Sequence, residues 1–454
     1  MFRDRQDWPR LLAAASAAAQ EFLESLPERP VAASSLAAPT PLPWPEQGEG
    51  ALAALARFRE RYEAGLSGSP GPRYLGFVTG GTTPAALVGD WLATAYDQNL
   101  SNAGDSLATA VEHEAIAFLR QLFGLPATFG GVFVSGATMA NFVALATGRQ
   151  WAAARLGVDV AEEGLAGLPR IPLLGGSPHA SVEKAAAMLG FGRKAIEKMP
   201  RLPGRQAVDL AAVEERLRQL GGGPAILLAS AGEVNTGDFD DLEALADLTE
   251  KYGAFLHVDG AFGLFAALLP EKAGLLRGLE RADAIATDGH KWLNVPYDSG
   301  IVFTRHLEHQ IATFRAIAAY LGVGPDLLHR TPENSRRFRA LPAWLSLVAY
   351  GREGYREMVA RTCHFASRLG EFLEQDPRFE LLAPVRLNIV CFALAREGAA
   401  ARDEFLRRLA QSGETFLTPT LFEGRPAARA AFSNWSIEES DFEKIRAALA
   451  AAAS

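Results

Sequence analysis

The 454-residue chain is 48% hydrophobic and 22% charged, an ordinary globular composition with enough length for two or three domains. Its formal net charge of −8 excludes the basic surface that nucleic-acid binding needs, and no apolar run approaches the ~20 residues of a membrane span. The chain holds two cysteines, which argues against a disulfide framework or a thiolate metal site and favours a cytoplasmic location.

The first predicted elements are two helices joined by a proline-rich segment. Apolar residues recur at helical spacing over residues 8–26, and a second helix is predicted over about 51–66. Three arginines before Leu11–Ala19 imitate a signal peptide, but the acidic residues among them favour a helix. Residues 27–50 contain six prolines and predict an extended linker. We predict that residues 1–83 form an N-terminal helical arm.

Strand-like and helix-like stretches alternate through the middle of the chain. Alternation over this length predicts a mostly parallel sheet covered by helices, in a large α/β domain over residues 84–330. Residues 331–454 combine long helices with short apolar runs and predict a smaller α+β domain. The strands predicted along the chain are 131–136, Ile171–Leu174, Ala225–Ala229, Phe255–Val258, Ala284–Thr287, Ile301–Thr304, Leu387–Phe392 and Arg429–Phe432.

Polar residues follow two of these strands at the edge where open α/β sheets bind ligands. Asp259 follows Phe255–Val258, and Lys291 follows Ala284–Thr287. A carboxylate and an amine on neighbouring strand ends suit pyridoxal phosphate, which is held as a Schiff base on lysine with an acid facing its pyridine nitrogen. Taken singly, Lys291 could be a surface lysine and Asp259 a helix cap or a structural ion-pair partner.

Two further stretches suit the same cofactor. Residues 135–138, Ser-Gly-Ala-Thr, follow a strand and open a helix, so backbone N–H groups and the helix dipole favour a phosphate there, although a plain helix cap is an equal alternative. His179 precedes a helix and could stack on an aromatic ring or remain a solvated loop residue. His257 lies on the same strand face as Asp259, and we expect it to hydrogen-bond nearby rather than bind a metal.

Taken together, these segments resemble the pyridoxal-phosphate-dependent amino-acid decarboxylases of the aromatic-amino-acid, glutamate and histidine decarboxylase type. The resemblance implies an aminotransferase-like fold of type I, and a homodimer with the site at the subunit interface. It implies decarboxylation of an L-amino acid to an amine and CO2 through a Lys291 Schiff base and a quinonoid. The matching stretches are Phe133–Asn141, His179–Lys184, His257–Ala261, Asp288–Trp292 and Arg336–Leu341.

The resemblance also implies roles for individual residues. Lys291 is the Schiff-base lysine, Asp259 the partner of the pyridinium, and His179 the histidine that stacks on the ring. Substrate contacts are expected from the loop before the large domain. The remaining implied positions are Ala137 and Thr138 at the phosphate, Ala261 against the cofactor, His290 beside the phosphate, Thr79 near the substrate carboxylate, and Phe77 in the substrate pocket.

Two segments depart from the family pattern in ways that bear on the reaction. Asn235 stands where the family has a hydroxyl, so we expect its amide at the cofactor. The family's mobile loop carries a tyrosine that protonates the quinonoid, whereas Leu321–Arg336 contains none and Tyr320 lies just before it. His329 is then the ordinary proton donor of that segment. The missing tyrosine leaves transamination, or decarboxylation coupled to oxidative deamination to an aldehyde, as the alternative reaction.

The loop before the large domain departs as well. Gly68 and Gly76 occupy positions where members specific for aromatic substrates carry aromatic rings. This difference argues against a simple slot for an indole or a catechol, although Tyr74, Phe77 and Trp91 lie nearby in the sequence.

Overall fold

The elements follow the predicted alternation closely. The structure is a computed structural model that describes residues 3–33, 37, 39–102, 104–316, 326–395 and 398–454. Its α-helices are α1 Trp8–Ser25, α2 Ala51–Tyr62, α3 Pro84–Tyr96, α4 Ala108–Phe123, α5 Ala137–Ala154, α6 Val160–Glu163, α7 Ala180–Met188, α8 Leu210–Gln219, α9 Leu242–Tyr252, α10 Leu307–Phe314, α11 Ala340–Gln375, α12 Ala399–Ser412 and α13 Glu439–Ala452. Its strands are β1 Gly130–Val134, β2 Leu173–Gly175, β3 Ile196–Lys198, β4 Ile226–Ser230, β5 Phe255–Asp259, β6 Ala284–Asp288, β7 Gly300–Thr304, β8 Phe379–Leu381, β9 Ile389–Leu394, β10 Thr418–Phe422 and β11 Arg425–Ala431.

A seven-stranded sheet forms the centre of the molecule, in the order β1-β7-β6-β5-β4-β2-β3. Pairs β2–β3, β2–β4, β4–β5 and β5–β6 are parallel, while β7 runs antiparallel to both β1 and β6. The prediction of a mostly parallel sheet is therefore confirmed. The parallel pairing brings the carboxyl ends of β4, β5 and β6 to one edge, with Ser230 opposite Asp259 and Asp259 opposite Ala286.

Both faces of this sheet are covered, as the alternation predicts. On β5, Leu256 and Val258 pack into one hydrophobic cluster together with residues of α4, α9 and α11. Phe255 points to the other face and packs into a second cluster built on α5 and α7. Because both faces are buried, the central strands read as continuous apolar runs rather than as alternating ones.

A buried ion pair fixes the outer strand β1. The Arg336 guanidinium donates to Glu112 on α4 at 2.8 Å, and both side chains are almost fully buried. Glu112 Oε1 also accepts from the Phe133 N–H at 3.0 Å, and Arg336 donates to the Phe133 carbonyl at 2.7 Å. The segment that carries Arg336 is thereby attached to the strand that leads into the Ser135–Thr138 turn.

The C-terminal part contains an antiparallel sheet in the order β10-β11-β9-β8, packed with α11, α12 and α13 around its own hydrophobic cluster. This observation confirms the predicted α+β character. The strand predicted at Leu387–Phe392 begins two residues later, and β11 extends further towards the N-terminus than predicted. The long helix α11 contains a break at Gly351, whose φ is +59°. The domain limits at residues 83 and 330 stay predictions.

The N-terminal helices expose apolar side chains. Helices α1 and α2 form where predicted and bury none of their residues within this chain. Trp8 and Leu12 are 62% and 60% exposed, and Phe58 on α2 is 47% exposed. Among the described residues, no helix combines the length and the apolar character that crossing a bilayer requires.

Candidate active site

A cavity of about 850 Å³ opens at the carboxyl edge of β4, β5 and β6. Such a volume lies in the range of small-molecule sites. The residues predicted to contact the cofactor line this one cavity, because parallel pairing aligns the ends of the three strands. The predicted residues that line it are Phe77, Ala137, Thr138, His179, Asn235, Asp259, Ala261, His290 and Lys291.

Lys291 enters this cavity from the turn after β6. Its Nζ lies 3.2 Å from Asp288 Oδ2 and 5.8 Å from the centre of the Phe262 ring. Asp288 Oδ1 in turn accepts from the Ala137 N–H at 2.5 Å. Asp288 therefore holds the lysine amine beside the first turn of α5, a function that the sequence reasoning did not assign to it.

Asp259 is held by a chain of hydrogen bonds through Asn141 on α5. Asn141 Nδ2 donates to Asp259 Oδ2 at 2.9 Å and to Ser181 Oγ at 3.0 Å. His257 Nε2 lies 2.7 Å from Asn141 Oδ1, so His257 and Asp259 do share one face of β5. Full burial lowers the pKa of His257 to about 4, which keeps its imidazole neutral and able to donate to the amide oxygen.

His179 forms one wall of the cavity at the start of α7. Its Nδ1 lies 2.8 Å from Ser181 Oγ and accepts from the Ser181 N–H at 3.2 Å, so the ring caps the helix. Burial lowers the pKa of His179 below its ordinary value. The ring is therefore neutral at pH 7, and its orientation is fixed by α7.

The turn between β1 and α5 lies close to β7. Gly136 precedes α5 and contributes no side-chain cap, and Ala137 and Thr138 line the cavity from the first helical turn. A Cβ added to Gly300 would lie 2.4 Å from the Gly136 backbone, so this approach requires glycine. The Ala137 N–H already donates to Asp288, and the other N–H groups of the first turn favour an anion.

The loop before α3 brings an aromatic wall to the cavity. Phe77 lines the cavity and is 61% exposed, and both Phe77 and Val78 have a positive φ, 56° and 59°. A Cβ on Gly76 would lie 2.8 Å from the Phe416 ring, which stacks on Tyr74 at 5.0 Å. The space beside Gly76 is therefore filled by the ring of Phe416, which comes from a distant part of the chain.

Thr79 does not line the cavity and is connected to it through the side chain of Tyr297, which packs against His290. Thr79 lies outside the set of cavity-lining residues, and its Oγ1 lies 3.3 Å from the Tyr297 hydroxyl. The Tyr297 ring lies 4.3 Å from that of His290, centre to centre. Burial lowers the pKa of His290, so this ring is neutral at pH 7.

Opposite the loop, charged residues line the cavity. Glu233 accepts from Asn235 Nδ2 at 2.9 Å, and Asn235 Oδ1 accepts from Thr420 Oγ1 at 2.5 Å, so the Asn235 amide is held by the protein on both sides. Arg429 on β11 donates to the Val234 carbonyl at 2.8 Å and is 7% exposed. Burial raises the pKa of Glu233 and lowers that of Arg429.

His329 is buried in the short turn Leu327–His329 and is not among the residues that line this cavity. Its Nδ1 accepts from the Ala316 N–H at 3.1 Å. Tyr320 and residues 321–325 of the predicted proton-donor segment lie outside the described residues.

Comparison with known proteins identifies the family. A model of the pyridoxal-dependent decarboxylase conserved domain matches residues 36–395. The chain belongs to this family. The decarboxylase is 30% identical to aromatic-L-amino-acid decarboxylase of Bacillus atrophaeus over 346 residues, which cover 73% of this chain and 69% of the relative. It is 31% identical to L-2,4-diaminobutyrate decarboxylase of Rhizobium meliloti over 401 residues, which cover 84% of this chain and 78% of the relative.

The fold of the decarboxylase agrees with solved structures. The structure of Oryza sativa TDC with PLP and tryptamine has a TM-score of 0.91 at 24% identity and covers 100% of this chain and 99% of that one. The glutamate decarboxylase domain from Vibrio parahaemolyticus has a TM-score of 0.84 at 22% identity, and the match covers 97% of this chain and 95% of that one. The predicted aminotransferase-like architecture is confirmed.

The decarboxylase is a pyridoxal-phosphate-dependent carboxy-lyase that acts on an amino acid. The donor set of the cavity fits this cofactor: Lys291 would provide an amine for the aldehyde, Asp259 an acid for the ring nitrogen, and the start of α5 would provide N–H groups for the phosphate. The similarities do not favour the alternative of transamination or aldehyde formation.

Several site residues of the decarboxylase were missed by sequence reasoning. Asn141 carried a signal, since it lies one helical turn beyond Ala137 and Thr138 and therefore faces the same side. Asp288 ends β6 as Asp259 ends β5, and the same argument could have found it. Arg429 carried no local signal, because a strand of the other sheet brings it to the cavity.

Proposed function

We propose that Lys291 is the residue that binds the cofactor covalently and that Asp259 is the acid at its ring nitrogen. The observation that supports this proposal is their placement: both line one cavity, Asp259 at the end of β5 and Lys291 in the turn after the adjacent parallel strand β6. When bound, pyridoxal phosphate withdraws the electrons that decarboxylation leaves at the substrate Cα. The negative charge of Asp259, oriented by Asn141, keeps a proton on the group that it faces.

We assign the other walls of the cavity by their chemistry. Ala137 and Thr138 hold the phosphate at the start of α5, while His179 and Ala261 contact the ring. His290 and Asn235 complete the cofactor contacts, and Phe77 and Thr79 are assigned to the substrate. Arg429 offers a buried positive charge to a carboxylate, because a guanidinium remains charged even when burial lowers its pKa.

We propose that His329 is the proton donor after CO2 leaves. Its burial within this chain and its place outside the cavity wall mean that this role requires a second subunit or a rearrangement. A His329→Phe variant that kept the wild-type rate and product ratio would eliminate this assignment.

We also propose that the protein is a cytoplasmic homodimer. Helix α1 buries nothing within its own chain, and its exposed Trp8 and Leu12 suit a partner subunit. Cys363 and Cys391 are both buried and unpaired, as in proteins of reducing compartments. Fractionation of cells that express the tagged protein tests the location.

A reduction experiment tests the assignment of Lys291. Borohydride should fix the cofactor to wild-type protein and to a Lys184→Ala control, whose lysine is exposed on α7, but not to Lys291→Ala. Mass spectrometry of the peptides measures the label. Covalent label on Lys291→Ala would refute the assignment.

A product assay tests the reaction. A panel of L-amino acids, incubated with holoenzyme, should release amine and CO2 in equal amounts with at least one member of the panel. Ammonia, aldehyde or keto acid in amounts comparable to CO2 would contradict simple decarboxylation.

A further inference from the structure

A cluster of metal-ligating side chains lies outside the cavity, where β7 leads into α10. His306, Glu308 and His309 place one ligand atom each within 4.8 Å of the others, and no other such group of three occurs among the described residues. Glu308 Oε1 lies 3.6 Å from His306 Nδ1 and 3.7 Å from His309 Nε2. Metal–ligand bonds of about 2.0–2.2 Å at tetrahedral angles separate neighbouring ligand atoms by about 3.3–3.6 Å. The two separations from Glu308 lie at or just above the upper end of this range, and the two histidine nitrogens lie within 4.8 Å of each other.

The orientation of His306 is already fixed as metal ligation requires. Its Nε2 lies 2.7 Å from Asp283 Oδ1, and a carboxylate there can only accept, so Nε2 carries the proton. The other ring nitrogen, Nδ1, faces Glu308 and is the atom that remains for a metal ion. A carboxylate behind a ligating imidazole is the usual arrangement in zinc sites. Asp283 is itself held, because Oδ1 accepts from Arg305 Nε at 3.0 Å and Oδ2 from the Leu256 N–H at 2.7 Å.

The charges also suit a divalent cation. The negative charge of Asp283 is balanced by the Arg305 guanidinium, so Glu308 supplies the net charge of the cluster. Nε2 of His309 and Nδ1 of His306 both face the same oxygen of Glu308, so the two imidazoles and the carboxylate converge on one point. The Glu308 side chain is 67% exposed, so a metal ion has an open path to the cluster.

We propose that His306, Glu308 and His309 bind a divalent transition-metal ion of the zinc type, with water in the fourth position. Imidazole and carboxylate ligands in this number select such an ion over Mg²⁺ or Ca²⁺, which prefer oxygen ligands. The ion would join the end of β7 to the first turn of α10, on the segment that precedes Ala316 and its contact with His329.

Zinc binding to holoenzyme tests this proposal. Equilibrium dialysis should give one Zn²⁺ per chain for wild-type protein and for a His364→Gln control, which changes an exposed histidine of α11. Glu308→Gln and His309→Gln should each weaken binding by at least about tenfold, the lower end of the effect of changing a supporting residue. Equal zinc affinity in all four proteins would overturn the site, as would the absence of stoichiometric binding to the wild type.

Cobalt gives a second readout that needs no variant. Co²⁺ bound by two imidazoles, a carboxylate and water should show the intense visible absorption of a four-coordinate ion, apart from the cofactor band. The weak spectrum of hydrated Co²⁺ in the presence of wild-type holoenzyme would reject the proposed coordination.

Discussion

Asn141 connects three side chains that lie on two different elements beside the cavity. It donates to Asp259 and to Ser181, and its oxygen faces His257. Asp259 Oδ1 accepts from the Ala261 N–H at 3.2 Å, and Asn141 is the partner of the other carboxylate oxygen, Oδ2. The geometry of Asp259 therefore depends on a residue that need not touch the cofactor.

Replacing Asn141 by alanine should weaken the function of Asp259. A lost hydrogen bond to a charged acceptor costs about 1.5–3 kcal/mol, so cofactor affinity and turnover together should fall by roughly 10- to 100-fold. Cofactor titration and steady-state rates measure the two effects. Gln150→Ala is the control, since this buried amide of the same helix binds Asp159 instead. A loss of the same size in the control would assign the effect to α5 as a whole.

His257 makes stability depend on pH. Its pKa is about 4 in the folded chain and about 6.5 when unfolded, so the unfolded state takes up the proton first as pH falls. The stabilisation is complete above pH ~6.5 and is lost progressively between pH ~6.5 and ~4. Between pH 7 and 5 this residue alone should remove about 2 kcal/mol from the free energy of unfolding.

A His257→Asn variant should lose this contribution. Urea unfolding measures the free energy of unfolding at pH 7 and at pH 5. Its decrease between the two pH values should be smaller in the variant than in wild type by about 2 kcal/mol. The control variant His364→Gln should behave as wild type. Parallel pH dependence of wild type and variant would show that other groups control acid stability.

At the residue scale, the sequence predicted which side chains meet where the pattern is local. Asp259 follows one apolar strand and Lys291 lies just beyond the next, and the structure brings both to one cavity, while their roles there stay predictions. Arg429 and Phe416 could not be found in this way, because they come from the C-terminal part of the chain. Their positions depend on how the two sheets pack, which no local pattern encodes.

At the scale of elements, the direction of β7 is the main feature that the sequence left open. Ile301–Thr304 was predicted as a strand, but its antiparallel course was not. The connection from β6 to β7 spans residues 289–299 and contains no helix, whereas a parallel crossover in such sheets usually includes one. The missing crossover helix was the available signal.

The course of β7 places Gly300 against the turn between β1 and α5, where we propose that the phosphate binds, and a Gly300→Ala variant tests that contact. The added Cβ would lie 2.4 Å from the backbone of Gly136, so the turn must shift. Overpacking of this kind costs about 1–3 kcal/mol, and we expect cofactor affinity to fall roughly 5- to 100-fold. Gly274→Ala, with nothing within 4 Å of its added Cβ, is the matched control. Unchanged cofactor affinity in Gly300→Ala would show that the turn does not hold the phosphate.

At the scale of the whole molecule, the proposed dimer depends on α1. A double variant, Trp8→Glu with Leu12→Glu, places two charges on its exposed apolar side, and burying them against a partner is unfavourable. Light scattering should give twice the chain mass of 48.6 kDa for wild type and a single chain mass for the variant. Leu156→Glu, a change at a 38% exposed leucine after α5, should remain dimeric. A dimeric double variant would exclude α1 from the interface.

The ion pair between Glu112 and Arg336 has a consequence for how copies of this chain can meet. Strand β1 ends the central sheet, and its Phe133 N–H and carbonyl would otherwise be open to a strand from another molecule. Glu112 and Arg336 occupy both groups. On the opposite border, β3 carries Glu197 and Lys198, which are engaged by Arg216 and Glu183. Charged side chains at both edges of the sheet oppose strand addition and fibre-like aggregation, so we expect any contact between copies to use helical surfaces.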